Sequence, residues 1–404
     1  MVLLSAGLVM AVLGGCGHRG ENLAPAVTPE CICVRESALQ EMGLQYYWHA
    51  GQRVALSADD SVKRMLLLDE HLYLMTEKSR LLAVDASVGR EKWRVSVSFK
   101  DNGVYPPTHQ TLQMSPTVWR NTVMDPPEPT EFKPVDATII NDLAHMLVID
   151  RASGEILRDT EFVQSTATTA GLCDRTHFYL PGMADMLYAI DLTIGQAVWS
   201  LAYEGLASVP IRSYGDRVYV GTIEGQMSCF VVGSAGERRW SIDYDSAIFA
   251  PFTVDARGLF FATGRKIRAL DRTTGLSLWE PVHVEGEIHD AMQLSDTTLY
   301  QHAQGDGLYA VNLATGDVRW KMENGKTVVA IMDGQAYVID TANKLNVVNE
   351  ITGEVTASLE MMGFDFFVPN TRTPAIYAGS TNGQIYCIRK SDAGQLTAEM
   401  LQGQ

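Results

Sequence analysis

The stretch ALDRTTGLSLW, residues 269–279, carries an apolar strand end into an Asp, a Thr-Thr-Gly turn and a Trp four residues past the glycine. The same ending returns as AVDASVGREKW (83–93), VIDRASGEILR (148–158), AIDLTIGQAVW (189–199) and VVGSAGERRW (231–240). Further along it returns as AVNLATGDVRW (310–320), VVNEITGEVTA (347–357) and CIRKSDAGQLTA (387–398). The aligned glycines are Gly89, Gly154, Gly195, Gly236, Gly275, Gly316, Gly353 and Gly394, with steps of 65, 41, 41, 39, 41, 37 and 41 residues. A period near 40 over eight copies is the mark of a repeat architecture.

Upstream of each glycine lies a second regularity. HLYLMTEKSRLLAVD (71–85), RVYVGTIEGQMSCFV (217–231) and TLYQHAQGDGLYAVN (298–312) each place two alternating apolar runs around a polar turn. The period is two, with β-branched and aromatic enrichment, and helical spacing does not persist. Adding the apolar run before each copy predicts about four strands per repeat. Four antiparallel strands at this period make a propeller blade, so the expected fold is an all-β, eight-bladed β-propeller.

The motif residues have physical reasons. Asp85, Asp150, Asp191 and Asp271 can accept backbone N–H groups and open the turn. The glycines can take the positive φ that a tight hairpin requires. Trp93, Trp199, Trp240, Trp279 and Trp320 present a large flat ring at one point of five repeats, where it is expected to wedge adjacent blades as a docking residue. Losing such a buried ring costs about 3–5 kcal/mol. Arg158, Ala357 and Ala398 stand at that position in the other three copies.

The pattern LYAVNLATGDVRW (308–320), LYAIDLTIGQAVW (187–199) and LLAVDASVGREKW (81–93) resembles the pyrroloquinoline-quinone (PQQ) type propeller repeat. The resemblance spans about residues 65–400 and implies eight blades held by tryptophan-docking motifs.

The chain ends read differently. Residues 1–16, MVLLSAGLVMAVLGGC, fit a secretory signal that is too short to span a bilayer. Leu13-Gly14-Gly15-Cys16 resembles a bacterial lipobox and predicts lipid on Cys16. Gly17, rather than Asp, then fits outer-membrane sorting. Residues 17–30 read as a flexible tether. Residues 31–60 either cap the propeller or complete its last blade, and the propeller itself is placed at 61–404. Segment 101–136, rich in proline and without clean alternation, is expected to be an insertion over one mouth of the ring.

A formal net charge of −16 excludes a phosphate-backbone surface, so no nucleic-acid partner is expected. Cys31, Cys33, Cys173, Cys229 and Cys387 form no regular disulfide framework, and Cys229 and Cys387 read as small core residues. His283 and His289, with Asp290 beside the latter, are the one close histidine pair, expected as solvated loop residues. A PQQ- and calcium-dependent dehydrogenase, the enzymatic alternative, carries long inserts and commonly a vicinal cysteine pair. No adjacent Cys-Cys stands in this chain, and no catalytic, cofactor-binding or metal residue is assigned.

The closer resemblance is to non-catalytic propeller lipoproteins, such as that of the outer-membrane β-barrel assembly machinery. It implies a monomeric propeller within a complex, anchored at the outer membrane and facing the periplasm, which scaffolds envelope proteins. A carbohydrate- or small-ligand-binding propeller is the third reading.

Overall fold

The computed structural model describes residues 34–48, 52–97, 103–114, 133–163, 165–233 and 235–401. Cys16, Cys31, Cys33 and the 17–30 tether lie outside the described residues.

Eight antiparallel sheets follow one another as blades of a propeller. Blades 1 to 7 occupy residues 62–96, 108–161, 172–202, 212–243, 253–283, 293–322 and 325–360, each with four strands paired in chain order. Blade 8 takes three strands from 366–390 and its outermost strand from the other end of the chain. There Leu44, Gln45 and Tyr46 pair with Lys390, Arg389 and Ile388, and Gln52 and Arg53 pair with Ile385 and Gln384. Of the two roles open to residues 31–60, the strands at 44–46 and 52–53 therefore complete the last blade. The preceding helix, Glu36–Glu41, buries Leu39 against blades 7 and 8.

The first strands of neighbouring blades touch one another, which places them around the ring axis. Side chains alternate along each inner strand, and both faces are buried because a blade has a neighbour on each side. In blade 1, Tyr73, Leu81 and Ala83 face blade 2, whereas Leu72, Leu74, Leu82 and Val84 face blade 8. The core is accordingly partitioned into eight apolar clusters, one per joint.

The two rims differ. One carries the turns between first and second and between third and fourth strands, including the repeated Asp–Gly turns. The other carries the second-to-third turns and the crossovers between blades. On the Asp–Gly rim, Asp85 Oδ1 accepts Ser87 N–H at 2.9 Å, and Asp271 Oδ1 accepts those of Thr273 and Thr274 at 3.0 and 2.7 Å. Gly89, Gly154, Gly195, Gly236, Gly275, Gly316 and Gly353 all have positive φ, between 62° and 79°.

Gly394 departs from this set. It lacks positive φ, and residues 398–401, with Ala398 first, form a helical turn instead of a fourth strand. The eighth copy has no Asp–Gly turn because its fourth strand enters from residues 44–46 rather than from the chain that follows.

The segment 101–136 is narrower as an insertion than its composition implies. Residues 108–114 are the first strand of blade 2, paired with 133–139 of its second. Ala137 meets Asp150 as His71 meets Asp85, so Gln110–Ala137 marks the level at which blade 1 turns. Four more pairs, from Thr111–Asp136 to Met114–Lys133, carry the ladder past that level. At roughly 3.3 Å per residue, this ribbon stands about 13 Å beyond its neighbour's turn. It leans on blade 3, where Gln113 N–H donates to Arg175 O at 2.9 Å. Pro134, opposite Gln113 in this ribbon, has no N–H to donate and suits a stretch of strand without a ladder partner on its other side.

Candidate functional site

The five repeated tryptophans sit in the joints, on the Asp–Gly side. Trp93, Trp279 and Trp320 are buried, and Trp199 and Trp240 are half-buried. Each ring covers the turn glycine of the next blade. A Cβ placed on Gly154, Gly236, Gly275, Gly316 or Gly353 would stand 2.5–3.1 Å from ring or Cβ atoms of Trp93, Trp199, Trp240, Trp279 or Trp320, in that order. The indole N–H of Trp93 donates to Arg151 O, that of Trp199 to Gly233 O, that of Trp279 to Leu313 O and that of Trp320 to Glu350 O. These carbonyls occupy one structural position, directly after the turn-opening residue.

At two other joints a tyrosine makes this bond. Tyr219 O–H donates to Arg272 O at 3.0 Å, and Tyr377 O–H to Ala86 O at 3.1 Å. Burial pushes both phenols above the ordinary range, which keeps them neutral donors. Beside Tyr377, at 5.7 Å between ring centres, lies Trp48 from the N-terminal segment. Trp48 is buried in the joint between blades 8 and 1, a role its position outside the repeats did not disclose. A usable signal was present: an apolar-Tyr pair recurs at 72–73, 178–179, 218–219, 299–300 and 376–377, and each of these tyrosines packs on a tryptophan.

Where tryptophan is missing, other groups fill the joint. Arg158 lays its guanidinium over Gly195 and donates to Thr193 O at 3.4 Å. In the joint between blades 7 and 8, Ala357 packs against the cluster that contains Val34, Leu39 and Phe364.

The joint between blades 1 and 2 carries a polar cluster. His109 Nδ1 lies 2.7 Å from Asp69, its Nε2 2.8 Å from Tyr73 Oη, and that oxygen 2.7 Å from Thr138 Oγ1. Arg151 reaches from blade 2 to Glu70 at 3.2 Å and to Asp69 and Asp136 at 3.6 Å each. Burial opposes ionisation of Glu70, but its 3.2 Å contact with His71 Nδ1, hydrogen bonding to its own backbone and the charge of Arg151 together hold its carboxyl down at about 2.

The other sequence-level candidates fall apart in space. Cys173, Cys229 and Cys387 are buried free thiols, pushed up in pKa by burial. His283 is exposed on the outer strand of blade 5, and His289 meets Glu287 at 3.3 Å. Asp290 pairs instead with His302, at 2.6 Å. Among the described residues no cluster of His, Cys, Asp and Glu could hold a metal ion.

Exposed apolar side chains occur on both rims: Val88, Ile194, Leu276 and Ile351 lie in the Asp–Gly turns, and a second group lies on the crossover rim. There each crossover hydrogen-bonds to the second-to-third turn of the following blade, as at Ala167–Gly182, Ala207–Thr222 and Glu287–Gln304. On this lattice Val163 is 76% exposed, Phe249 55%, Met183 53% and Ile223 37%. Met183 and Ile223 are the same turn position in blades 3 and 4, and Phe249 lies on the crossover into blade 5. Exposed Glu204, Glu224 and Asp245 stand among them. A cluster of large apolar tips with a charged surround is what a protein–protein contact needs, because it offers area to bury and a rim that stays wet.

The family model for "Outer membrane protein assembly factor BamB" matches residues 144–280, 183–323 and 234–402, together more than half of the chain. The chain belongs to this family. Of curated relatives with that description, the Yersinia pestis protein is 23% identical over 247 residues, 55% of this chain and 61% of the relative. The Legionella pneumophila (strain Paris) protein is 26% identical over 123 residues, 30% of this chain and 31% of the relative. The chain thus covers about a third to three-fifths of these relatives. The crystal structure of BamB from Moraxella catarrhalis matches with a TM-score of 0.61 at 15% identity, over 87% of this chain and 99% of that one. The computationally designed Ika8 protein matches at 0.59 and 13% identity, over 85% and 99%. Both likenesses establish the propeller fold.

Proposed function

We propose that this chain is a non-catalytic scaffold of the cell envelope, anchored by lipid on Cys16 and serving outer-membrane protein assembly. Membership of the BamB family carries the reading. We place the contact on the crossover rim, where Met183, Ile223 and Phe249 expose large apolar side chains. Docking there buries apolar tips while Glu204, Glu224 and Asp245 select a partner with basic residues at matching places. In the same reading Trp93, Trp199, Trp240, Trp279 and Trp320 are the docking residues that keep the ring rigid enough to present this rim.

The test is co-purification from detergent-solubilised envelope, comparing the native chain with Met183→Glu, Ile223→Glu and Phe249→Glu. Recovery of an outer-membrane assembly protein by the native chain, lost in the variants at unchanged melting temperature, supports the reading. Equal recovery by all four moves the contact elsewhere. Radiolabelled palmitate on the native chain and not on Cys16→Ser tests the anchor.

A further inference from the structure

The eighth repeat departs from the motif at Arg389. Tyr377 pairs with Cys387 as Tyr73 pairs with Ala83, so Arg389 stands where blade 1 has the turn-opening Asp85. A guanidinium has donors only and cannot accept the backbone N–H groups that an Asp takes there. It reaches for carbonyls instead. Arg389 Nε donates to Pro374 O at 3.0 Å, in the first-to-second turn of blade 8, and Nη1 donates to Gly394 O. The guanidinium carbon also lies 4.9 Å from the ring centre of Tyr47, which follows the N-terminal strand at 44–46. Arg389 is 2% exposed, and among the described residues no carboxylate pairs with it.

Residues 391–401 turn back across the seam between blade 8 and the N-terminal segment. Ser391 N–H and O–H both donate to Gly43 O at 2.9 Å, and Gln45 Nε2 donates to Ser391 O at 3.3 Å. Leu396 N–H donates to Tyr47 Oη at 3.0 Å. On the other side of the seam, Thr373 Oγ1 donates to Met400 O at 3.4 Å. Leu396 and Leu401 are buried in the cluster that holds Trp48, Val54, Val368 and Tyr377. One short segment thus grips both the strand that comes from the far end of the chain and the part of blade 8 that receives it.

A strand at the edge of a blade has one ladder partner, and such a strand opens locally more readily than an inner one. The seam adds three holds on it. Ser391 fixes the chain at Gly43, Tyr47 is bonded to Leu396 and covered by Arg389, and Trp48 shares its apolar cluster with Leu396 and Leu401. The other half of every hold lies in residues 389–401. Lifting that segment also takes Gly394 O from a buried cation, a costlier loss than that of a neutral hydrogen bond.

We infer that residues 391–401 are a latch on the seam of the ring, pinned by Arg389, and that the strand at 44–46 leaves blade 8 only after the latch lifts. The seven blades that are continuous in the chain need no such device. The latch is independent of the partner surface on the crossover rim.

Amide hydrogen exchange of the full chain, resolved to single residues by mass spectrometry, tests the order of release. In the native chain the Leu396 amide should exchange at least as fast as the Tyr47 amide, which donates to Cys387 O in blade 8. Leu396→Ser loosens the latch without altering the borrowed strand, and Arg389→Lys replaces the planar fork by a point charge that fits the two carbonyls poorly. Each should speed exchange at Tyr47 and Val54 at least tenfold and leave residues 226–231, an inner strand of blade 4, at the native rate. Three results would overturn the latch: faster exchange at Tyr47 than at Leu396 in the native chain, native rates at Tyr47 and Val54 in both variants, or an equal acceleration at 226–231.

Discussion

The indole nitrogen of Trp320 donates to the carbonyl of Glu350 at 3.0 Å, across the joint between blades 6 and 7. The same ring occupies the space beside Gly353, where a Cβ would come within 2.5 Å of Trp320 Cγ. The glycine therefore answers two demands, a φ of +76° and the approach of the neighbouring ring. The turn of one repeat is the floor for the wedge of the repeat before it.

Separating those demands is the first prediction. Gly334 has a φ of +72°, and a Cβ added to it would meet nothing within 4 Å, so Gly334→Ala should cost only the left-handed strain, about 1–2 kcal/mol. Gly353→Ala should cost at least about 1 kcal/mol more, because the methyl displaces the indole. In a Trp320→Gly background, which also removes the Trp320 Cβ that would stand 2.6 Å away, the overlap vanishes and the extra cost should disappear. Urea unfolding of the four variants reads this directly, and equal penalties at both glycines would contradict it.

The second prediction concerns the indole nitrogens. Trp48 and Trp240 are packed in joints, yet their Nε1 atoms have no hydrogen-bond partner. Trp48→Phe and Trp240→Phe then lose ring volume alone. Trp320→Phe and Trp93→Phe also strand a half-buried carbonyl, which adds about 1 kcal/mol. Denaturation midpoints should sort the four variants into these two pairs.

Much of this architecture was legible because a propeller repeats along the chain. Asp271, Gly275 and Trp279 recur at a fixed period, and the physical role of each follows from its residue type. What escaped was set by contacts that cross the sequence. The eighth repeat looked continuous through Gly394, but its outer strand is residues 44–46, more than 300 positions away, and no periodicity records that loan. The long step from Gly89 to Gly154 looked like a loop, and part of it is instead a lengthened ladder at 111–114 and 133–136. Asp290 had His289 as its chain neighbour and took His302, one strand over, as its partner. The exposed tips Met183, Ile223 and Phe249 carried no local signal at all, since burial of an apolar side chain is decided by what the fold stacks on it.

A third prediction follows from Glu70, held at about 2 in the folded chain against an ordinary value near 4.5. A depressed carboxyl stabilises the fold at pH values above its unfolded pKa and loses that contribution as pH falls through the folded one. The stability difference between the native chain and Glu70→Gln should therefore be constant from pH 7 to about 5, at about 1–3 kcal/mol, and close between about pH 4.5 and 2. Unfolding free energies measured along that range check it. A gap that persists at pH 2 would assign the effect to shape rather than charge.

The loan of a strand makes the ring's closure separable from its repeats. Tyr47 N–H donates to Cys387 O at 2.8 Å, Val54 N–H to Gly383 O at 3.1 Å and Leu396 N–H to Tyr47 Oη at 3.0 Å, so residues 44–47 and 52–54 are both stitched to blade 8. Removing residues 1–56 would leave that edge with unpaired backbone groups and uncover the clusters that contain Leu39, Leu44 and Trp48. The truncated chain should self-associate through this edge, bind a hydrophobic dye and melt well below the native chain. A synthetic peptide of residues 34–56, added in excess, should restore the monomer by mass action, and its Trp48→Ala form should need at least tenfold more. Size-exclusion chromatography with and without peptide decides the matter. A truncated chain that stays monomeric with native stability would mean that the seven complete blades hold the ring without its closing strand.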